Sequence, residues 1–315
     1  MKKFVLMIVV SLFLTGCSST QPAAPPAAAG GAPEASVSPA QTSAPAEPSQ
    51  ASPAATQTRA EGATTPVLIK GLLVGGLSQG RWMQAPEFFN SGAVDLNGYL
   101  YDVYVNGKKI GTATGGLPTD SLSGEVQTEK TYIPGYDVIT LRDENGQKVE
   151  YDIAIRADWN LFPRSYATAD ARNQAWLGLA KTLLKNEGLT DPQTEVKQVV
   201  RADLDNNGSE EILIAADNTV EGRFEQVAAG DNAILIFKTA EAASGQAVEK
   251  DIHTRDESEP SIYRWLFRVH AIADLDGDGA MEVVVRSWYY EGESWSVYKL
   301  DGNELKLAAS NGWGV

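Results

Sequence analysis

Beyond residue 66 the apolar positions fall into short blocks or alternate with polar ones, the pattern of β-strands. Val67, Leu68, Ile69, Leu72, Leu73 and Val74 form one such block, closed by Gly75-Gly76, which predicts a single strand over 67–76. Runs at 99–105 and 108–112 flank Asn106-Gly107, and an Asn-Gly pair between β-favouring runs is the strongest short hairpin signal. Runs at 136–142 and 148–155 flank Asp143-Glu144-Asn145-Gly146 and predict a second hairpin. Residues 67–160 therefore read as a small antiparallel β-domain. The stretch 168–185 differs: Ala169, Trp176, Leu177, Ala180, Leu183 and Leu184 lie at near-helical spacing, with Gly188 as a stop and Pro192 beyond it. It predicts an amphipathic helix within a connector at 161–192. Over 193–315 the β-pattern returns, with strands at 196–202, 212–216, 232–239, 262–273, 283–290, 294–300 and 304–308. The fold class expected is mainly β (α+β).

Two acidic stretches interrupt these strands. They run Asp203-Leu204-Asp205-Asn206-Asn207-Gly208-Ser209-Glu210-Glu211 and Asp274-Leu275-Asp276-Gly277-Asp278-Gly279-Ala280-Met281-Glu282. Aligning Ala202 on Ala273 superposes them at an offset of 71 residues, an internal duplication of a strand–loop–strand unit. Oxygen-bearing side chains stand at relative positions 1, 3 and 5, Gly at 6 and Glu at 9. Such oxygens converge only where the backbone curls tightly, and Ca²⁺ takes six to eight of them in a forgiving geometry, whereas Mg²⁺ keeps its waters and fewer protein ligands. The candidate ligands are Asp203, Asp205, Asn207, the Ser209 carbonyl and Glu211 in the first loop. In the second they are Asp274, Asp276, Asp278, the Ala280 carbonyl and Glu282. Asn207 makes the first loop less anionic, and it is expected to be the weaker site. A polar Asx-rich turn without an ion is the plainer alternative, and the repetition in register argues against it. An EF-hand needs an acid at position 12 and a following helix. Here position 12 is Ile214 or Val285, inside a β-branched run.

Asp-x-Asp-x-[Asp/Asn]-Gly-x-x-[Asp/Glu] between strands resembles the calcium loops of FG-GAP and VCBS-type repeats. The resemblance covers residues from Glu195 to the end and lacks a Phe-Gly…Gly-Ala-Pro signature. It implies β-sheets with two propeller-blade-like strand–Ca loop–strand units, two structural Ca²⁺ ions, and binding or scaffolding rather than chemistry.

The first residues change the compartment. Met1-Lys2-Lys3 precedes an apolar segment from Phe4 to Leu14, too short for the roughly 20 residues that span a bilayer. Leu14-Thr15-Gly16-Cys17 then resembles a bacterial lipobox, which implies removal of the signal and acylation of Cys17, the one cysteine of the chain. Two acyl chains give stable membrane anchoring. Residues 18–66 are almost all Ala, Pro, Ser, Thr, Gln and Gly, and cannot bury enough apolar surface to fold. They predict a tether reaching roughly 150 Å if fully polyproline-like and about 40 Å as a coil. Ser18 is not the Asp associated with inner-membrane retention, so in a two-membrane cell the anchor points to the outer membrane. The formal charge of −15 argues against nucleic acid as a partner, since no basic stripe offers phosphate contacts.

Signals for an enzyme are thin. Gly76-Leu77-Ser78-Gln79-Gly80 fits the Gly-x-Ser-x-Gly nucleophile pattern, but the only histidines are His253 and His270 and no strand–helix alternation surrounds it. Neither histidine has companion ligands for zinc, and carboxylate separations for a glycosidase are not readable. Trp288, Tyr289, Tyr290, Trp295, Tyr298 and Trp313 can be a sugar-stacking platform or ordinary sheet packing, the second being commoner. The expected protein is an extracytoplasmic lipoprotein, anchored at Cys17, that binds or scaffolds an envelope protein or a glycan without catalysis. The alternative is a hydrolase using Ser78.

Overall fold

A turn that the hydrophobic pattern hid sets the start of the fold. In a computed structural model, which describes residues 64–92, 95–116, 139–219, 227–255 and 263–314, the block at 67–76 is two strands. They are β1 (Thr65–Ile69) and β2 (Leu72–Ser78), joined by a two-residue turn at Lys70-Gly71. Both turn residues have positive φ, 50° and 94°, the requirement of a tight hairpin turn. Gly75 and Gly76 do not end the strand: a Cβ at Gly76 would overlap the Phe88 ring, so the glycine marks a close approach. The expectations for residues 1–63, the signal segment, Cys17 and nearly all of the tether, lie outside the described residues, and Thr65-Pro66 belong to β1.

The chain continues through β3 (Arg81–Gln84), the short helix α1 (Ala85–Ser91), β4 (Leu100–Val105), β5 (Lys108–Gly116), β6 (Thr140–Arg142) and β7 (Ile153–Ile155). Hydrogen bonding orders them β3-β2-β1-β7-β4-β5-β6. The Asn106-Gly107 hairpin forms as expected between β4 and β5. The second hairpin closes only locally, with Asp143 N–H donating to the Gln147 carbonyl at 2.9 Å. Ile153–Ile155 then leaves it and inserts between β1 and β4.

Next come β8 (Ala167–Thr168) and α2 (Gln174–Asn186). The helix starts later than its spacing predicts, because Ala167 and Thr168 pair with β9 and because Asn173 caps it, accepting from Ala175 N–H at 3.0 Å. It ends as expected at Gly188: Gly188 N–H donates to the Lys185 carbonyl and Leu189 N–H to that of Leu184. The remaining strands are β9 (Glu195–Ala202), β10 (Glu211–Asp217), β11 (Asn232–Lys238), β12 (Gln246–Ile252), β13 (Leu266–Ala273), β14 (Glu282–Tyr289), β15 (Gly292–Asp301) and β16 (Glu304–Gly314). They form a five-stranded sheet, β12-β11-β10-β9-β8, and a four-stranded one, β13-β14-β15-β16. The pairings within the three sheets are antiparallel. The fold is mainly β, with helices α1 and α2 among the described residues.

Strand alternation explains how the layers stack. On β10, Leu213 and Ala215 face the four-stranded sheet, while Ile214 and Ala216 face α2 through Ala180 and Leu184. On β14, Val283 and Val285 face the five-stranded sheet, while Val284 faces Val67, Ile69 and Ile153 of the seven-stranded one. The far face of that sheet buries Leu68 and Leu73 against Phe88 of α1. Strands covered on both sides read as unbroken apolar runs, as Ile234–Phe237 and Val283–Val285 do. The four-stranded sheet is thus the middle layer, and residues 67–160 and 193–315 share a core.

Candidate metal centres

Both acidic loops leave their strands at the same register. Ala202 pairs with Glu211 across the mouth of the first, and Ala273 with Glu282 across the second. Within each loop the position-2 leucine turns inward, and Leu204 and Leu275 are fully buried. Gly208 and Gly279 at position 6 adopt left-handed backbone, with φ of 85° and 89°.

The backbone amides organise the carboxylates. Asp203 accepts from Asn207 N–H at 3.1 Å and Gly208 N–H at 3.0 Å; Asp274 accepts from Gly277 N–H at 2.7 Å and Gly279 N–H at 3.1 Å. Position 3 accepts from the amide of position 5: Asp205 Oδ1 from Asn207 at 3.1 Å, and Asp276 Oδ1 from Asp278 at 3.2 Å. Position 5 accepts from position 7, at 2.7 Å from Ser209 to Asn207 and 2.9 Å from Ala280 to Asp278. The position-9 glutamates close the curl, Glu211 Oε2 accepting from Leu204 N–H at 2.9 Å and Glu282 Oε2 from Leu275 N–H at 2.7 Å. One oxygen of Asp276, Asp278 and Glu282 accepts from a backbone amide, and the other takes no backbone amide. Ligand atoms of Asp203, Asp205 and Glu211 lie within 4.8 Å of one another, as do those of Asp274, Asp276 and Glu282. Asn207 and Asp278 stand at position 5 as the sequence requires. Among the described residues neither histidine joins such a cluster.

The surroundings differ. At the first loop Asp205, Asn207, Ser209 and Glu211 line a cavity of about 100 Å³ with Glu241 and Asn303. At the second, the Lys299 ammonium from β15 lies 2.5 Å from Asp276 Oδ2, 2.6 Å from Asp278 Oδ2 and 3.7 Å from Glu282 Oε1. Trp82 Nε1 donates to Asp276 Oδ2 at 3.3 Å and Trp159 Nε1 to the Asp274 carbonyl at 2.7 Å. Glu282 is fully buried, and its Oε1 has no hydrogen-bond partner.

The electrostatics follow from burial. Burial raises the Glu282 carboxyl well above the usual range, with the Asp276 charge adding to it. Asp274 is pushed up to about 6, first by burial and then by Asp276 and Asp278, against the amides that stabilise its charge. Burial also raises Glu211. Burial alone would lower Lys299, but its pairing with Asp276 and Asp278 prevails and holds the ammonium above the ordinary lysine value. Burial thus disfavours the charged forms of Glu211, Asp274 and Glu282, and a proton or a neighbouring cation would relieve that cost.

Besides Trp82 and Trp159, two charged residues at these centres escaped sequence reasoning. Arg164 donates to the Asp203, Leu204 and Gly279 carbonyls at 2.7, 2.8 and 2.9 Å, and Met281 N–H donates to the Leu204 carbonyl at 2.8 Å, so the loops lie side by side. Lys299 is the other. Neither carries a sequence signal, since Arg164 is remote from both loops and Lys299 stands in an ordinary strand pattern.

The other candidates are placed as follows. Ser78 ends β2 opposite Arg81, on a hairpin turn at Gln79-Gly80 and without a following helix. His253 lies 3.1 Å from Asp251, and His270 lies 3.8 Å from Asp152. The six aromatics do not form one platform: Trp295 and Tyr298 are in the core, Tyr289 is buried and stacked on Tyr263, Trp288 has the Arg268 and Arg286 guanidiniums over its ring, and Tyr290 and Trp313 are exposed. No helix among the described residues is long and apolar enough to cross a membrane. No protein-family model, curated protein or solved structure matches the chain.

Proposed function

We propose that this is an extracytoplasmic lipoprotein, anchored through Cys17, whose paired loops are structural Ca²⁺ sites that staple a non-catalytic binding or scaffolding surface of the cell envelope. One observation carries the calcium reading: two register-equivalent loops gather carboxylates of Asp203, Asp205 and Glu211, and of Asp274, Asp276 and Glu282, within ligand-sharing distance. The residues fit a hard cation, because the donors are oxygens and the buried Oε1 of Glu282 lacks a partner. With the ion absent, clustered carboxylates repel; with it, each loop closes an antiparallel strand pair at the edge of a shared core. The strand–loop–strand repeat keeps its resemblance to FG-GAP and VCBS-type calcium loops, with propeller-blade-like units as the finer description. The lipobox at 14–17 and the low-complexity 18–66 support a tethered location, on the outer membrane where the host has two.

Calorimetry and thermal melting of the full chain in detergent test the calcium reading. Ca²⁺ is expected to bind and to raise the melting temperature, and EDTA to lower it again. Unchanged melting in EDTA, with no heat of binding at millimolar Ca²⁺, rejects it. Incorporation of labelled palmitate that persists in Cys17→Ser rejects the anchor.

A further inference from the structure

The second loop already holds a cation, and it belongs to the protein. Asp276 Oδ1, Asp278 Oδ1 and Glu282 Oε2 are engaged by backbone amides. The opposite oxygens, Asp276 Oδ2, Asp278 Oδ2 and Glu282 Oε1, are those that the Lys299 ammonium approaches at 2.5, 2.6 and 3.7 Å. They are the oxygens of positions 3, 5 and 9, which a bound ion would need. At the longest of these contacts Glu282 Oε1 makes no hydrogen bond, so the ammonium leaves the bowl incompletely satisfied.

Strand geometry explains why only one loop has this occupant. Side chains of β15 alternate, with Val297 in the core against the seven-stranded sheet and Tyr298 in the core against the five-stranded sheet. Lys299 therefore turns to the face of Val297, toward the second loop, and Leu300 to the face of Tyr298. Leu300, Gly302 and Asn303 reach the cavity of the first loop, and among the described residues no Lys or Arg lines it. The same strand end serves both loops, one with an ammonium and the other with neutral groups.

We propose that Lys299 is a built-in rival of the divalent ion at the second loop: ammonium and Ca²⁺ are alternative occupants of the same three oxygens, and the ion enters only as Lys299 withdraws. This rests on the calcium reading above and adds an order of sites, with the first loop the tighter and the second a weak, exchangeable one. Two cations within ligand distance of one another repel, so joint occupancy is excluded. The Lys299 side chain is 31 % exposed, which gives it a route to solvent. Trp82 Nε1 donates to Asp276 Oδ2 and Trp159 Nε1 to the Asp274 carbonyl, two neutral donors that fix the loop beside the ammonium.

The test is Ca²⁺ calorimetry on the full chain in detergent, in a background of Asp203→Asn with Asp205→Asn so that only the second loop remains. Lys299→Met, which keeps most of the stem and removes the charge, is expected to tighten Ca²⁺ binding at least about tenfold, and Lys299→Arg is expected not to. Terbium luminescence excited through Trp82 and Trp159 follows the same loop independently. In EDTA, Lys299→Met is expected to melt lower than its parent and to recover in Ca²⁺. A variant that melts lower in both conditions, or that binds no tighter than its parent, overturns the rivalry while leaving calcium binding at the first loop intact. Absence of Ca²⁺ heat from the wild-type chain and from Lys299→Met alike overturns the calcium reading and the rivalry with it.

Discussion

The first and second loops share register, inward leucine, left-handed Gly and amide-bound glutamate, yet they meet different neighbours. The first opens on a cavity lined by Asp205, Asn207, Ser209 and Glu211, with Glu241 nearby. The second is enclosed by Trp82, Trp159 and Lys299, and its Glu282 is fully buried. By charge count alone the second, with Asp278 where the first has Asn207, is the stronger cation site, and that was the expectation from sequence. The tertiary contacts reverse this order in the reading proposed here, because Lys299 cancels the extra charge and also sits on the oxygens an ion would need. A motif fixes which atoms are offered, and the fold decides whether they are free.

Substitutions can break this comparison in descending order of effect. Leu204→Ala and Leu275→Ala remove fully buried anchors at equivalent positions. Each is expected to cost about 2–5 kcal/mol by denaturant unfolding, and similar losses would confirm that the loops share one architecture. Calcium at a hundredfold excess over Kd adds about 2.7 kcal/mol per site. Most of the EDTA response in melting temperature is therefore expected to vanish in Asp203→Asn with Asp205→Asn, and less of it in Asp274→Asn with Asp276→Asn. An equal division between the pairs would remove the asymmetry. Arg164 ties both loops together through three carbonyls. Arg164→Met is expected to cost about 1–3 kcal/mol, with and without Ca²⁺.

The smallest effect serves as a control away from the loops. His270 packs edge-on against Trp295 in the layer between sheets, and its Nε2 has no hydrogen-bond partner. Burial lowers its pKa below 6.5, against the pull of Asp152. The folded state therefore binds this proton less well than the unfolded one. Its contribution is present above pH 6.5 and is lost as pH falls below that toward the folded value. Melting followed from pH 7 to 5 should show a decline that His270→Gln reduces equally in Ca²⁺ and in EDTA. A decline that depends on Ca²⁺ would locate it in the loops instead.

Much of the local structure was legible. Asn106-Gly107 specifies its own turn, Gly188 ends α2, and the acidic loops follow from spacing. The failures have physical causes. Lys70-Gly71 sits inside an apolar run because β1 and β2 are buried on both faces, so no polar break announced the hairpin. Ile153–Ile155 reads as the second arm of a local hairpin, yet it lies between β1 and β4, because strand partners far apart in sequence compete with the nearest one. Helix propensity carried the expected helix back to Thr168, where pairing with β9 takes precedence. β3 and α1 lack a period long enough to detect, and β12 carries only Ala247, Val248 and Ile252 as apolar residues.

The sequence by itself determined the β-rich class, the duplicated loop and the oxygen donors at positions 1, 3, 5 and 9, because these depend on residues close together in the chain. Only the tertiary structure decided that the four-stranded sheet lies between two others, that Arg164 joins the loops, and that Lys299 enters one of them. Those contacts join residues far apart in sequence, where the side-chain period of a strand says which way a residue faces but not what it will meet.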